Sequence, residues 1–302
     1  MVRLLMRKHK AKTEASKLVC ARARYQSKNW FSSERFERLM SRIKTLNGEQ
    51  KQLVLELTDK FEYIDLQQLI LKVRNSLIAL VDEKGCNVSS ILIAPLKSPI
   101  ININNPFKDR NYVLAGKEKS ADYIFGIVAR QDLNIKANIQ ICSSPKELIR
   151  FYKDNCCIAL VDDFVGSGET ATTHVREYKT FLEHENIKVN LGQFNIVVAA
   201  AMKDGVDKVN KYGIDCFVQD IMDKGITCDT TKRQYQRDKN VELMESIEEQ
   251  LMPNMSKDYS FGYHHSEALI SILDKAPNNT FPFYWYTQGM DTKAIFRRNY
   301  GG

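Results

Sequence analysis

The sequence lacks most of the features that would place it outside ordinary globular proteins. Its longest uninterrupted apolar run is Ile196–Met202. A membrane span needs about 20 residues, so none is expected. Fourteen Gly and seven Pro in 302 residues are too few for a collagen-like or linker-rich chain. The seven cysteines, Cys20, Cys86, Cys142, Cys156, Cys157, Cys216 and Cys228, contain no Cys-x-x-Cys pair. An odd number without that spacing argues against a secreted disulfide framework or a zinc knuckle. Cys156 and Cys157 sit in an apolar run, where Cys behaves as a small buried hydrophobe. A reducing, cytoplasmic setting is the expectation. Gly-Lys-Ser/Thr and Gly-x-Gly-x-x-Gly are also missing, which excludes a Walker loop and the usual dinucleotide fingerprint.

What is present is an ordinary balance, 43% hydrophobic and 27% charged, in a chain long enough for one large domain or two smaller ones. The net charge of +7 is unevenly spread: residues 1–44 hold thirteen Lys and Arg against three acids, and the remainder is slightly acidic. Three readings of this basic arm stay open. It is a solvated extension, a nucleic-acid contact with Arg22, Arg24 and Lys28 as candidates, or an Arg-rich, acid-poor transit segment.

Three helix-period stretches follow. Phe36, Leu39, Met40, Ile43 and Leu46 recur behind Ser32 or Ser33. Leu53, Val54, Leu57 and Phe61 repeat the spacing. Asp65 then caps a stripe from Leu66 to Val81, with Gln68 placed for a capping box and Gly85 as the stop. From residue 90 short apolar runs alternate with helical stretches. Strands are expected at Ile91–Ala94, Tyr123–Ala129, Asn138–Cys142, Cys156–Val161, Phe194–Ala201 and Cys216–Ile221. Helices are expected from Ser144 to about Asp154, from about Glu169 to Glu185, and over Asp204–Tyr212. This alternation predicts an α/β fold with a doubly wound, mostly parallel sheet. The expected division is a basic arm (1–29), a helical module (30–88) and an α/β domain (89–302) closed by a C-terminal hood at about 255–290.

One segment carries chemistry: Ile158-Ala159-Leu160-Val161-Asp162-Asp163-Phe164-Val165-Gly166-Ser167-Gly168-Glu169-Thr170. It reads as strand, acid pair, small-residue loop, helix. Backbone N–H groups converge where such a loop opens a helix, and the helix dipole favours an anion there. Ser167 and Thr170 add hydroxyls, and Gly166 and Gly168 allow close approach. Carboxylates beside such a cradle suit sugar hydroxyls or a divalent cation. Together they describe a ribose 5-phosphate site.

The segment resembles the ribose-phosphate signature of the phosphoribosyltransferases. The resemblance implies that Asp162 and Asp163 hold the ribose hydroxyls of phosphoribosyl pyrophosphate (PRPP). Gly166, Ser167, Gly168 and Thr170 would hold its 5-phosphate, and Mg2+ would reach the site through the ligand's phosphates. Glu169 departs from a position often Gly, and a carboxylate near phosphate is unfavourable unless it points outward. Ala94-Pro95-Leu96-Lys97-Ser98-Pro99 is the candidate pyrophosphate loop, with Lys97 as catalytic cation or as a plain surface lysine. Lys117–Ser120 is the candidate for the family's mobile loop.

The C-terminal part is rich in aromatics: Phe261-Gly262-Tyr263-His264-His265, then Ala268–Leu273, then Pro277-Asn278-Asn279-Thr280-Phe281-Pro282-Phe283-Tyr284-Trp285. It is either a packed closure or a hood that selects an acceptor through Tyr263, His264, Asn278 or Asn279. In an extended chain His264 and His265 would face opposite ways. The tail, the acid pair and the helical N-terminus resemble a phosphoribosyltransferase-like family with a C-terminal extension, found in bacterial conflict systems including anti-phage retrons. That resemblance implies a toxin-like effector, and a reverse-transcriptase complex or nucleic acid as partner. A salvage transferase and a non-catalytic nucleotide sensor remain alternatives.

Overall fold

The computed structural model describes residues 22–85, 87–101, 112–115, 119–129, 138–288 and 292–298. Helices α1 (Ser33–Ile43) and α2 (Gly48–Asp59), strand β1 (Glu62–Ile64) and helix α3 (Leu66–Lys84) come first. Ser32 accepts from the Arg35 amide, and Asp65 and Gln68 close a reciprocal capping box. The stripes foreseen on these helices are their buried faces, except that Leu66 is exposed and Met40 and Ile70 are half-buried.

A parallel sheet follows. It contains β2 (Ser90–Pro95), β5 (Ile139–Ile141), β6 (Cys156–Val161), the short β7 (Phe164–Val165), β8 (Phe194–Met202) and β9 (Asp215–Met222). The spatial order is β5-β2-β6-β8, with β9 beyond β8 and β7 continuing the line of β6 along β8. The crossovers are α4 (Lys119–Ala129), α5 (Pro145–Phe151), α6 (Glu169–His184) and α7 (Lys203–Lys211). Side chains of one strand alternate between two cores. Leu92 and Leu160 join Leu148, Val175, Leu182 and Val209 of α5, α6 and α7. Ile91 and Ala159 join Leu69, Val73 and Leu77 of α3 and Ile124 of α4 on the other face. Both faces are covered over β2, β6 and β8, which are buried along their whole length, so the sheet is doubly wound, while the outer strand β9 leaves Asp215, Gln219 and Ile221 exposed.

The segment Tyr123–Ala129, expected as a strand, is part of helix α4. Ala121, Ile124 and Val128 are buried at helical spacing while Tyr123 is exposed. A short apolar run does not distinguish a buried strand from a buried helix. The parallel pairing of β2 with β5 requires a crossover, which this helix supplies. An antiparallel pair, β3 (Ser98–Ile101) with β4 (Tyr112–Ala115), was also not foreseen. Neither was the long helix α8 (Gln234–Leu251).

A third core joins the two ends of the chain. Tyr25, Trp30, Phe36, Leu39 and Leu57 pack with Met244 and Ile247 of α8 and with Phe281–Tyr286 and Phe296. Phe61 and Phe296 stack with ring centroids 4.6 Å apart. Strand β10 (Ile270–Ile272) pairs in parallel with β1. The first two helices therefore share a core with the C-terminal hood, whereas α3 belongs to the sheet. No helix among the described residues is long and apolar enough to cross a membrane.

Candidate functional site

In chain order the principal strands lie 2-1-3-4-5, so the winding reverses between β2 and β6. Ligands of such sheets bind outside the carboxyl ends of the strands at this reversal. Pro95 at the end of β2 is level with Val161 at the end of β6. The next residues of β6 are Asp162 and Asp163. Both stay fixed to β8 through the backbone: Asp162 N–H donates to Val197 O (3.1 Å) and Asp163 O accepts from Ala199 N–H (3.2 Å). The Asp162 side chain is buried and its Oδ1 accepts from the Asp163 amide at 2.8 Å. Burial pushes the Asp163 carboxyl above the ordinary carboxylate range, against hydrogen bonds and the charge of Lys275 that favour its ionised form.

After β7 the chain turns at Gly166–Gly168 into α6. Gly168 caps this helix with φ +75°, a left-handed conformation that suits glycine. A Cβ there would also lie 2.7 Å from the carbonyl oxygen of Gly205. Ser167 Oγ accepts from the Glu169 amide at 3.4 Å. Thr170 is exposed in the first turn. The 16-residue helix α6 points its positive end at this loop, the arrangement that favours an anion.

The hood lies directly on the loop. A Cβ on Gly166 would fall 2.0 Å from Oδ1 of Asn279 and 2.4 Å from its Nδ2. Asn279 is buried and donates to Ser266 Oγ at 2.7 Å and to Tyr263 O at 3.3 Å. Asn278 is half-buried, and its carbonyl accepts the Tyr263 amide at 2.8 Å. His264 and His265 do not lie in an extended segment. They form a tight turn with φ +56° and +51°, the case in which the opposite-face argument for an extended chain does not apply. His264 Nε2 pairs with Glu169 at 2.7 Å, which gives the unexpected Glu169 a partner. The Tyr263 ring meets His264 edge-on at 4.1 Å, and partial burial and the Glu169 charge raise its phenol pKa.

A cavity of about 270 Å3 opens between loop and hood, lined by Gly166, Ser167, Met202, Asp204, Lys208, His264 and Ser266. Of these, Met202, Asp204, Lys208 and Ser266 were not singled out from the sequence. The strand–helix joint at Met202–Lys203 was the available signal, because α7 starts beside α6.

The remaining candidates do not line this cavity, although Lys97 follows Leu96, whose amide donates to Val161 O at 2.9 Å beside the acid pair. Lys97 is buried after the end of β2 and its Nζ is 2.7 Å from Asp122 Oδ2; it is not a plain surface lysine. Lys28 donates to the Asp59 carbonyl at 2.7 Å, Arg24 pairs with the Asp59 carboxylate, and Arg22 reaches Ser33 Oγ at 3.1 Å. Residues 1–21, Lys117 and Glu118 lie outside the described residues. Burial pushes the thiols of Cys142, Cys157 and Cys216 up to about 12, away from the thiolate form that reactive cysteines use.

The model of the PRTase-CE family matches residues 30–298. Among solved structures, the chain is similar to an orotate phosphoribosyltransferase from Aeropyrum pernix. The identity is 10%, with 49% of this chain and 68% of that chain covered at a TM-score of 0.26. No curated protein matches the chain.

Proposed function

The chain belongs to the PRTase-CE family, and from that premise we propose that it binds a PRPP-type ribose 5-phosphate and makes or breaks an N-glycosidic bond. The observation that carries this reading is the acid pair Asp162-Asp163 at the carboxyl end of β6, followed by the Gly166–Thr170 cradle at the start of α6. Carboxylates at that edge accept hydrogen bonds from ribose hydroxyls, and the loop and helix start receive the phosphate. Transfer breaks the C1–O bond to pyrophosphate, which leaves with the electron pair. An acceptor nitrogen forms the new C1–N bond and releases its proton. The sugar is cationic between these events, so positioning and negative charge beside it lower the barrier.

Mg2+, when bound with such a ligand, neutralises the leaving pyrophosphate. The ion would reach the site through the ligand's phosphates, with Asp162 and Asp163 engaged by the ribose hydroxyls. We further propose a cytoplasmic role as effector of a bacterial anti-phage, retron-type system. The basic arm would contact nucleic acid or a reverse transcriptase, with Arg22, Arg24 and Lys28 at its folded end.

A sensor that binds without turnover is the second reading. The observation favouring it is the ion pair between the buried Lys97 and the exposed Asp122 carboxylate, which occupies the cation expected to meet pyrophosphate. One experiment separates the two. PRPP binding and pyrophosphate release are followed with Mg2+ for wild type and Asp162→Asn/Asp163→Asn. Binding and release that both vanish in the variant establish the transferase, whereas binding without release points to the sensor or to an effector that awaits its partner. Wild-type-like binding and release in the variant overturn the site.

A further inference from the structure

The hood cavity adjoins the phosphate loop but not the acid pair. Asp162 and Asp163 end β6, whereas the cavity is walled by Gly166 and Ser167 of the loop, Met202, Asp204 and Lys208 at α7, and His264 and Ser266 of the hood. Neither acid lines it. A ribose held by the acids would direct its 5-phosphate to the loop, whose Gly166 and Ser167 also line the cavity. Its volume of about 270 Å3 equals about nine waters at the liquid's ~30 Å3 each. That is more room than the outer oxygens of one seated phosphate require.

The charges of the wall suit a second anion. Asp204, the acid in the wall, is paired with Lys224 at 3.1 Å. His264 carries the Glu169 carboxylate. Ser266 is engaged with Tyr263 and Asn279. Lys208 makes no ion pair among the described residues, although its neighbour Lys203 is paired with Asp207 at 3.1 Å. A lysine left without a carboxylate beside a cavity that opens onto a phosphate loop is a point charge for another phosphate.

We propose that the site takes nucleoside 5′-polyphosphates, in which the chain of phosphates continues past the cradle into the cavity and its second phosphate meets Lys208. This rests on the ribose-phosphate reading above and adds the class of substrate. A PRPP-type ligand, whose 5-phosphate is terminal, would fill the cradle without reaching Lys208.

The test compares AMP with ADP by calorimetry in one Mg2+-containing buffer, on the full chain. The base and sugar are then identical and only the second phosphate differs. Wild type should bind ADP about tenfold tighter than AMP. Lys208→Ala should bring that ratio to about one, and Lys208→Arg should restore most of it. Asp162→Asn/Asp163→Asn should weaken both ligands alike. Equal affinities in wild type, or a ratio that Lys208→Ala leaves intact, overturn the proposal; the ribose-phosphate reading then stands if the acid variant still weakens AMP. A Lys208-dependent preference that ignores the acid variant keeps the cavity and removes the ribose reading. Failure of wild type to bind either ligand removes both.

Discussion

Asn279 occupies the space in which any side chain at position 166 would begin. Its carboxamide lies 2.0–2.4 Å from the place of a Cβ on Gly166, while its amide nitrogen is held by Ser266 and Tyr263. The phosphate loop and the C-terminal hood are thus fitted to each other through one residue from each. The glycine at 166 is required by the hood as well as by any ligand.

This makes the contact a measurable coupling. Gly166→Ala should destabilise the protein by about 1–3 kcal/mol, the range for inserting a methyl group into a filled space. Asn279→Ala should cost about 1–2 kcal/mol through its lost hydrogen bonds. The double variant should lose at least about 0.5 kcal/mol less than the sum, because each change makes room for the other. Urea unfolding of the four proteins gives the answer, and strict additivity would mean that the two residues are not in contact.

Glu169 and His264 form a rim pair, with side chains about half exposed (49% and 51%). Pairs of this kind contribute roughly 0–1 kcal/mol, so His264→Ala should hardly move the urea midpoint. Glu169→Gln should have a different effect. It removes a carboxylate from the first turn of a helix whose start would receive an anion, and should tighten inorganic phosphate binding several-fold at low salt. Unchanged or weaker phosphate binding would show that Glu169 already points away from the anion.

The legible parts of this chain were those whose causes are local. The segment Val161–Thr170 could be read as strand, acids, loop and helix because neighbours in sequence determine each step. The same holds for the Asp65–Gln68 capping box and the Ser144 cap. Tyr123–Ala129 was not legible, because its apolar run satisfies a strand or a helix and only the β2–β5 pairing decides between them. The meeting of Asn279 with Gly166 was not legible either. More than a hundred residues separate them, and the aromatic core that brings them together is built from both chain ends. Lys97 could be placed after its strand from sequence, but its partner Asp122 lies on the helix that had been expected as a strand.

Arg42 shows how the two chain ends are held. It is buried in α1, and its guanidinium donates to the carbonyls of Phe283, Tyr286 and Lys293. Removing it leaves the buried carbonyl oxygens of Phe283 and Tyr286, and the less buried one of Lys293, without this donor, at about 1–3 kcal/mol for each that is buried and unsatisfied. Arg42→Ala should therefore destabilise the fold by at least about 2 kcal/mol. Arg38→Ala, one turn earlier and in partial contact with solvent, should cost less than half of that. Equal effects in thermal unfolding would remove the special role of Arg42.

Glu248 supplies a pH dependence whose sign can be worked out. It lies buried in α8 and accepts from Ser260 Oγ at 2.7 Å and from the Phe261 amide at 3.0 Å. Burial raises its carboxyl to about 7 despite these bonds, with the nearby Glu245 charge adding to the rise. The unfolded chain holds the same group near 4.5. The folded state therefore binds the proton more tightly, and the stability it brings is fully present below about 4.5. That stability fades as pH rises through about 7 and is constant above it. A shift of this size corresponds to a few kcal/mol at about 1.4 kcal/mol per unit. Glu248→Gln, which stays neutral, should lose less stability than wild type between pH 5 and 8 in urea titrations. Parallel curves for the two proteins across that interval would mean that Glu248 ionises in the folded state as readily as it does in water.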